Sequence, residues 1–377
     1  MRTVALIVAA MFWAGCALAA EKPLYAPAPD WVLPISIPDV PAAPEGNALQ
    51  ILLLNTQSRF GPRGDEFYSE SAMRILSPLG LAAVGSIGGV WRPDTETLTI
   101  HKLRIVRGGQ TIDLLANGKR FTVIRRETNL EMAMLDGTLT ATLQPEGLRV
   151  GDVVDWAFTL TRRDPVWKGN SEGGARLIGG RPVGRTFIRE LWVSNKAMRW
   201  KTTEGLETPR VTGLGDQREI VFDLSNAEAP KPPRLAPPRY NHLGELEISQ
   251  FESWAAVSAL MAPLYAKAES LPSDSSLRAE IKKIEAGAPD PKSRAEGALK
   301  LVQQQVRYLS LGMNNGGFIP AAAGLTWRDD SPTAKVNPFC SWRFFKRWAS
   351  RPSLPWSTRP MVTDWTNDCR NWVFSTT

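Results

Sequence analysis

Thiol or imidazole chemistry in this 377-residue chain, soft-ligand metal binding included, would have to be built from three cysteines, Cys16, Cys340 and Cys369, and two histidines, His101 and His242. A cysteine hydrolase needs a thiolate at a helix N-terminus with an imidazole beside it, a carboxylate to orient the ring, and backbone N–H groups for the tetrahedral charge. The spacing works against such a set. No cysteine occurs from Ala17 to Phe339, and no histidine follows His242, so neither Cys340 nor Cys369 has an imidazole in its own segment. The same gap excludes a zinc ribbon, and the isolated histidines read as one residue on a strand face and one beside a connector. The sequence assigns no catalytic residue, no metal site and no cofactor.

Composition separates the chain into a body and a tail. Residues 331–377 hold five of the 14 tryptophans but a single leucine, Leu354. From Arg328 onward eight Lys/Arg face four Asp, so +4 of the net +7 lies in the last 50 positions. The body shows no Lys/Arg face interleaved with aromatics, and nucleic acid is not an expected partner. With 43% apolar and 22% charged residues, whole-chain disorder and a polytopic membrane protein are disfavoured.

The elements follow in order. Arg2 precedes the apolar run Val4 to Trp13, and Ala17-Leu18-Ala19 forms an A-x-A pattern, so residues 1–20 read as a signal peptide cleaved near Ala19 and Ala20. A second reading takes Trp13-Ala14-Gly15-Cys16 as a lipoprotein site with Cys16 lipidated. Either places the protein outside the cytoplasm, in the periplasm or cell envelope, and no later run of 18 apolar residues predicts a span. Residues 21–50 are a proline-rich extended leader that need not fold.

Residues 51–226 read as strands. Thr97 to Val106, then Arg107-Gly108-Gly109-Gln110 and Thr111 to Leu114, predict a hairpin. Val154, Trp156, Phe158 and Leu160 occupy one face at period two, and 187–193 and 219–224 add further strands. Five prolines between Asn226 and Arg239 make 227–246 a stiff linker. From 247 to 330 the period becomes helical: Phe251, Trp254, Met261 and Tyr265 predict one helix, Leu277 to Ala286 a second, and a capping box at Ser293 to Glu296 opens a third, its buried face formed by Ala295, Leu299, Val302, Val306 and Leu309.

This order, ending in VRYLSLGMNNGGFIPAAAGLTW, resembles the bacterial proteins that join a DUF3857 module to a transglutaminase-like domain, with GDVVDWAFTLTRR as a supporting match. The resemblance implies an α+β chain: a β-rich, sandwich-like N-terminal DUF3857 domain followed by the truncated helical start of a papain-like transglutaminase core. In that family the tryptophan is soon followed by a motif like RFADCKGK, whose cysteine is the nucleophile. Here Trp327 is followed by Arg328-Asp329-Asp330-Ser331-Pro332. Re-read one nucleotide upstream from Asp330, codon degeneracy permits FADCKGKP, and each X-Trp pair must become Leu, Met or Val. The tail 331–377 is therefore read as out-of-frame translation, the alternative being a genuine Trp-rich basic extension that binds a surface.

Two functions remain open: an exported transglutaminase-like protein, catalytically inactive as written, or a non-enzymatic β-rich module that recruits an envelope protein or peptide. Asn314, Asn315, Gly317 and Trp327 are candidate substrate-binding residues beside the would-be cleft, although Asn-Asn-Gly-Gly is also a turn by its own chemistry.

Overall fold

The computed structural model describes residues 21–44, 46–125, 137–178, 182–193, 196–203, 206, 208–226, 235, 244–305, 318–320 and 322–328. The signal segment, most of the linker, residues 329–377, all three cysteines and His242 lie outside the described residues. Two compact units divide the chain, one comprising residues 1–126 and 137–256, the other residues 127–136 and 257–377.

The first unit is β-rich. Its strands are β1 (Leu24–Tyr25), β2 (Leu49–Phe60), β3 (Asp65–Ile75), β4 (Ile87–Trp91), β5 (Glu96–Arg107), β6 (Gln110–Asp113), β7 (Thr122–Arg125), β8 (Leu139–Leu143), β9 (Val153–Arg162), β10 (Glu172–Ile178), β11 (Val183–Val193), β12 (Arg199–Thr202), β13 (Arg210–Leu214), β14 (Gln217–Ser225) and β15 (Gly244–Ser249), with a short helix α1 (Pro78–Ala83) after β3. Nine strands form one mixed sheet in the order β1-β5-β9-β3-β2-β11-β14-β13, with β6 also pairing β5. Two three-stranded sheets, β4-β8-β7 and β10-β15-β12, complete it. The β5–β6 connection is the expected two-residue turn: Gly108 and Gly109 both have positive φ, 54° and 80°, which matches the twist of the flanking strands.

Strand alternation gives the large sheet two different faces. On one, Leu98, Ile100 and Leu103 of β5 and Val154 and Trp156 of β9 pack with Trp91, Leu139 and Ala141 of the first small sheet. Further along the same face, Phe60, Ile188, Trp192, Ile220 and Phe222 pack with Leu177, Leu246 and Ile248 of the second. Register places both clusters on one side, since Ile188 pairs with Thr56, Thr56 with Ser69, and Ser69 with Phe158. Each large apolar side chain so buried contributes about 1.5–3 kcal/mol.

The other face is covered by the leader, and here the sequence expectation is corrected. The segment is extended, yet it is folded onto the sheet. Ile35, Ile37 and Val40 pack on Leu52, Leu53 and Ala72, and Leu24 and Tyr25 pair in parallel with Thr99 and Ile100. Proline content removes N–H donors without preventing the chain from being held through its carbonyls. The expected end of the β-rich region at 226 also differs, because β15 lies beyond the linker and is the central strand of a small sheet.

In the second unit, α2 (Trp254–Ala268, its first residues belonging to the β-rich unit), α3 (Leu277–Gly287), α4 (Pro291–Gln305) and α5 (Ala323–Arg328) occupy the predicted helical region. The capping box is displaced by three residues. Asp290 is the cap, accepting from the Lys292 and Ser293 N–H groups at 3.0 and 3.1 Å, and Pro291 fits the first turn because its missing N–H would be unpaired there. On the expected buried face of α4, Ala295 and Val302 are half-buried and Leu299 is exposed, and the buried residue is Ala298. Gly297 lies against Ile284, where an added Cβ would meet Cγ2 at 3.1 Å. Val306 and Leu309 lie outside the described residues.

Candidate functional site

Beneath the leader the large sheet carries a buried row of polar side chains. Asn55 and Gln57 of β2 and Tyr68 and Glu70 of β3 point to this face because they alternate with residues of the apolar clusters, and all are buried. Glu70 is the hub. Its carboxylate accepts from Asn55 Nδ2 at 2.8 Å and from the Tyr68 hydroxyl at 2.9 Å, and it pairs with Lys102 Nζ. Lys102 also reaches Asp155 at 2.8 Å. Burial holds the Asp155 carboxyl above the ordinary range, against the opposing pull of Lys102. Burial and the neighbouring Glu70 push the Tyr68 phenol up, so it stays a donor.

From this network, side chains reach the leader's main chain. Gln57 Nε2 donates to the Leu33 carbonyl at 2.7 Å, and its Oε1 accepts from the Leu33 N–H at 2.9 Å. Gln50 repeats the pattern, donating to Pro41 O at 2.8 Å and accepting from Ala43 N at 3.2 Å. Arg189 donates to Trp31 O at 2.7 Å and Arg74 to Val40 O at 2.9 Å. A bulge at His101 turns its ring onto this face, where Nδ1–H donates to Ala26 O at 2.9 Å and Nε2 lies 2.7 Å from Thr159 Oγ1. Burial lowers the His101 pKa and keeps the ring neutral at pH 7. Its isolation in sequence concealed this role.

A second feature opens at one end of the sheet, where the β2–β3 hairpin meets the segment after β9 in a cleft of about 300 Å³. Gly64 has φ of 123°, and a Cβ there would meet the Arg162 carbonyl at 2.7 Å, so the hairpin can close on β9 only with glycine. In the floor Ser171 donates to Asp65 at 2.6 Å, and Arg162 donates to Glu172 O at 2.7 Å while lying over the Phe67 ring. Burial raises the Asp65 and Glu172 carboxyls. Arg63 and Arg163 line the rim with exposed side chains, and neither guanidinium has an ion-pair or hydrogen-bond partner among the described residues. Trp167, in a short turn capped by Asp164, forms another wall. Such a cleft fits a carboxylate beside an apolar or aromatic group.

Glu190, on the apolar face, differs from both. It is fully buried, and neither carboxyl oxygen has a hydrogen-bond partner among the described residues, the Ser58 hydroxyl on the paired strand lying near enough to offset only part of the effect of burial. Burial pushes its pKa to about 8.

The sequence-derived site residues are not brought together among the described residues. Asn314, Asn315 and Gly317 lie outside them, and Trp327 is half-buried in α5. The residues that the sequence reading missed, Gln50, Gln57, Glu70, Lys102, Asp155 and Arg189, left one signal: Asn55-Gln57 and Tyr68-Glu70 put polar residues at period two on strands otherwise fit for a core.

Comparison with known proteins agrees with the β-rich assignment. Residues 63–231 match the model of DUF3857, described as a domain of unknown function with a solved structure, so the chain carries a DUF3857 domain. A putative protease from Parabacteroides distasonis ATCC 8503 superposes with a TM-score of 0.63 at 12% identity, over 80% of this chain and 58% of that one. The likeness is one of fold, and this chain spans a little over half of that protein's length. An M1 zinc metallopeptidase from Deinococcus radiodurans overlaps 54% of this chain and 42% of its own with a TM-score of 0.28 at 10% identity, too low to carry an argument. No curated protein matches in sequence. No described helix is long and apolar enough to cross a membrane.

Proposed function

We propose that this chain is an exported relative of the proteins that join DUF3857 to a transglutaminase-like domain, and that in its present form it acts as a non-catalytic module recruiting an envelope protein or peptide. The observation that carries recruitment is the open cleft with two unpartnered guanidiniums, Arg63 and Arg163, beside Trp167. Unpaired arginines next to an aromatic wall give bidentate carboxylate recognition with an apolar contact, the chemistry of an acidic peptide segment. The transglutaminase-like part of the reading rests on the VRYLSLGMNNGGFIPAAAGLTW segment, and the loss of catalysis on the residues after Trp327, which lack the expected cysteine motif and which we read as out-of-frame translation. The word protease in the description of the Parabacteroides structure belongs to that protein. For this chain it frames one arm of the test.

Fluorescence anisotropy with a labelled acidic peptide containing an aromatic residue tests recruitment. Saturable binding to the full chain that falls at least tenfold in the Arg63→Ala/Arg163→Ala variant is expected, and equal binding by the variant would sink the reading. The frame is tested separately. The 377-residue chain should turn over no amide substrate, whereas restoring the frame after Asp329 should give iodoacetamide-sensitive turnover, because the nucleophile and base together supply on the order of a million-fold of rate in comparable triads.

A further inference from the structure

We propose that the polar face of the large sheet is a reader of extended proline-rich peptide, occupied in cis by the chain's own leader, and that a proline-rich segment of a partner polypeptide takes the leader's place. This deepens the recruitment reading by naming a partner class, but it rests on a different surface from the cleft.

The hydrogen bonds that hold the leader follow main-chain atoms. Besides the short β1–β5 pairing and the Ala26 N–H, which donates to Ile100 O at 3.2 Å, five side-chain donors, Gln57, Gln50, Arg189, Arg74 and His101, meet the carbonyls of Leu33, Pro41, Trp31, Val40 and Ala26, while two side-chain acceptors, Gln57 and Gln50, take the N–H groups of Leu33 and Ala43. This excess of donors complements a chain rich in proline, which offers carbonyls at every residue but lacks an N–H at each proline. Beyond the two-residue β1 ladder, the leader is held by side chains, whereas an edge-strand ladder would offer donors and acceptors equally. The groove therefore reads an extended backbone short of N–H groups, as proline-recognising domains do. Side-chain selectivity enters at three places: Trp31 beneath the Arg59 guanidinium at 5.3 Å, Tyr25 beneath Arg120 at 4.6 Å, and the apolar floor that takes Ile35, Ile37 and Val40.

The readers are held ready. Gln57 is fully buried and is oriented by Nε2 donation to Asn55 Oδ1 at 3.0 Å, and Asn55 in turn donates to Glu70, so the pair is fixed from the sheet side. Arg189 is fixed by Glu219 through its Nε, leaving Nη1 for the leader. The connection to β2 passes through Gly46, which is exposed, has φ of 98° and has open space where a Cβ would stand. A hinge of that kind lets the strap leave without straining the sheet. Tethering gives the leader an effective concentration in the millimolar range, so a free peptide competes only with comparable affinity or by avidity.

The test uses the full chain with a protease site inserted at Gly46. After cleavage, a labelled synthetic peptide of residues 21–44 is added. Exchange with saturable binding, competition by unlabelled peptide, and at least tenfold weaker binding by Gln57→Ala or by the more peripheral Gln50→Ala are expected. A peptide with its prolines replaced by alanine should bind at least tenfold more weakly. The proposal is overturned if the cleaved protein unfolds on losing the leader, if the folded cleaved protein does not take up the peptide, or if the alanine peptide binds equally. A concentration-dependent dimer of the uncut chain formed by leader exchange would also overturn it, since the occupant would then be a second copy. Acidic-peptide binding governed by Arg63 and Arg163 is read independently, so either claim can fail alone.

Discussion

Glu70 and Glu190 lie on opposite faces of one sheet, both nearly without solvent, and only Glu70 is satisfied. Three donors converge on Glu70, and the network around it extends through Asn55 and Gln57 to the leader. Glu190 lies between Ile188 and Trp192 on the same strand face, with no hydrogen-bond partner among the described residues. A buried charge persists where the surroundings supply donors, and otherwise the group takes up a proton. The polar face is thus organised around an electrostatic network, whereas on the apolar face folding must keep the Glu190 carboxyl neutral.

The largest effect expected from this contrast is in pH dependence. The Glu190 pKa is raised from the usual 4.5 to about 8, so below 4.5 both folded and unfolded chains hold the proton and stability is full. As pH rises from 4.5 to 8 the unfolded chain ionises first and stability falls, by roughly 5 kcal/mol in all. Glu190→Gln should remove most of that slope in urea titrations between pH 5 and 9. A residual slope of the same sign is expected from Asp65, Asp155 and Glu172, whose carboxyls burial also raises. An unchanged profile in the variant would contradict the contrast.

Next comes Glu70→Ala, which leaves Lys102 with Asp155 alone and strands Asn55 Nδ2 and the Tyr68 hydroxyl. Breaking one partner of a buried pair costs about 3–5 kcal/mol, measurable as a lower urea midpoint. Gln57→Ala removes both bonds to Leu33, and about 1–3 kcal/mol is expected, seen chiefly as easier proteolysis within residues 26–43. Smallest is Arg185→Ala, whose two bonds to Asp223 are largely exposed. At most about 1 kcal/mol is expected there, and a larger loss would show that surface pairs contribute more than this contrast allows.

The apolar side of the sheet was readable in the sequence because period-two burial is a local pattern: Val154 and Trp156 are buried as their spacing implies, and the Gly108-Gly109 turn follows from backbone chemistry alone. The polar side was not. Its residues come from β2, β3, β5, β9 and β11, and their relation depends on register between strands distant in sequence. The leader was read from its prolines as an extended segment that need not fold, whereas its order comes from carbonyls that accept from side chains 9 to 158 residues away. Ser293 looked like a cap because Glu296 follows at the right spacing. Asp290 displaced it by placing a proline in the first turn and accepting two N–H groups. Glu190 gave no signal, being an ordinary charged residue in a strand until its neighbours were known.

Native-state hydrogen exchange on the full chain tests most directly whether the leader is a separable ligand of the polar face. The amides of Leu33 and Ala43 should exchange by local opening, with protection well below that of Thr56, Ala157 and Ile188 and with little dependence on urea, and Gln57→Ala should lower Leu33 protection about tenfold or more. If Leu33 and Ala43 instead share the opening free energy and urea dependence of the sheet, the leader unfolds only with the whole domain, and the account of the polar face as a peptide reader is wrong.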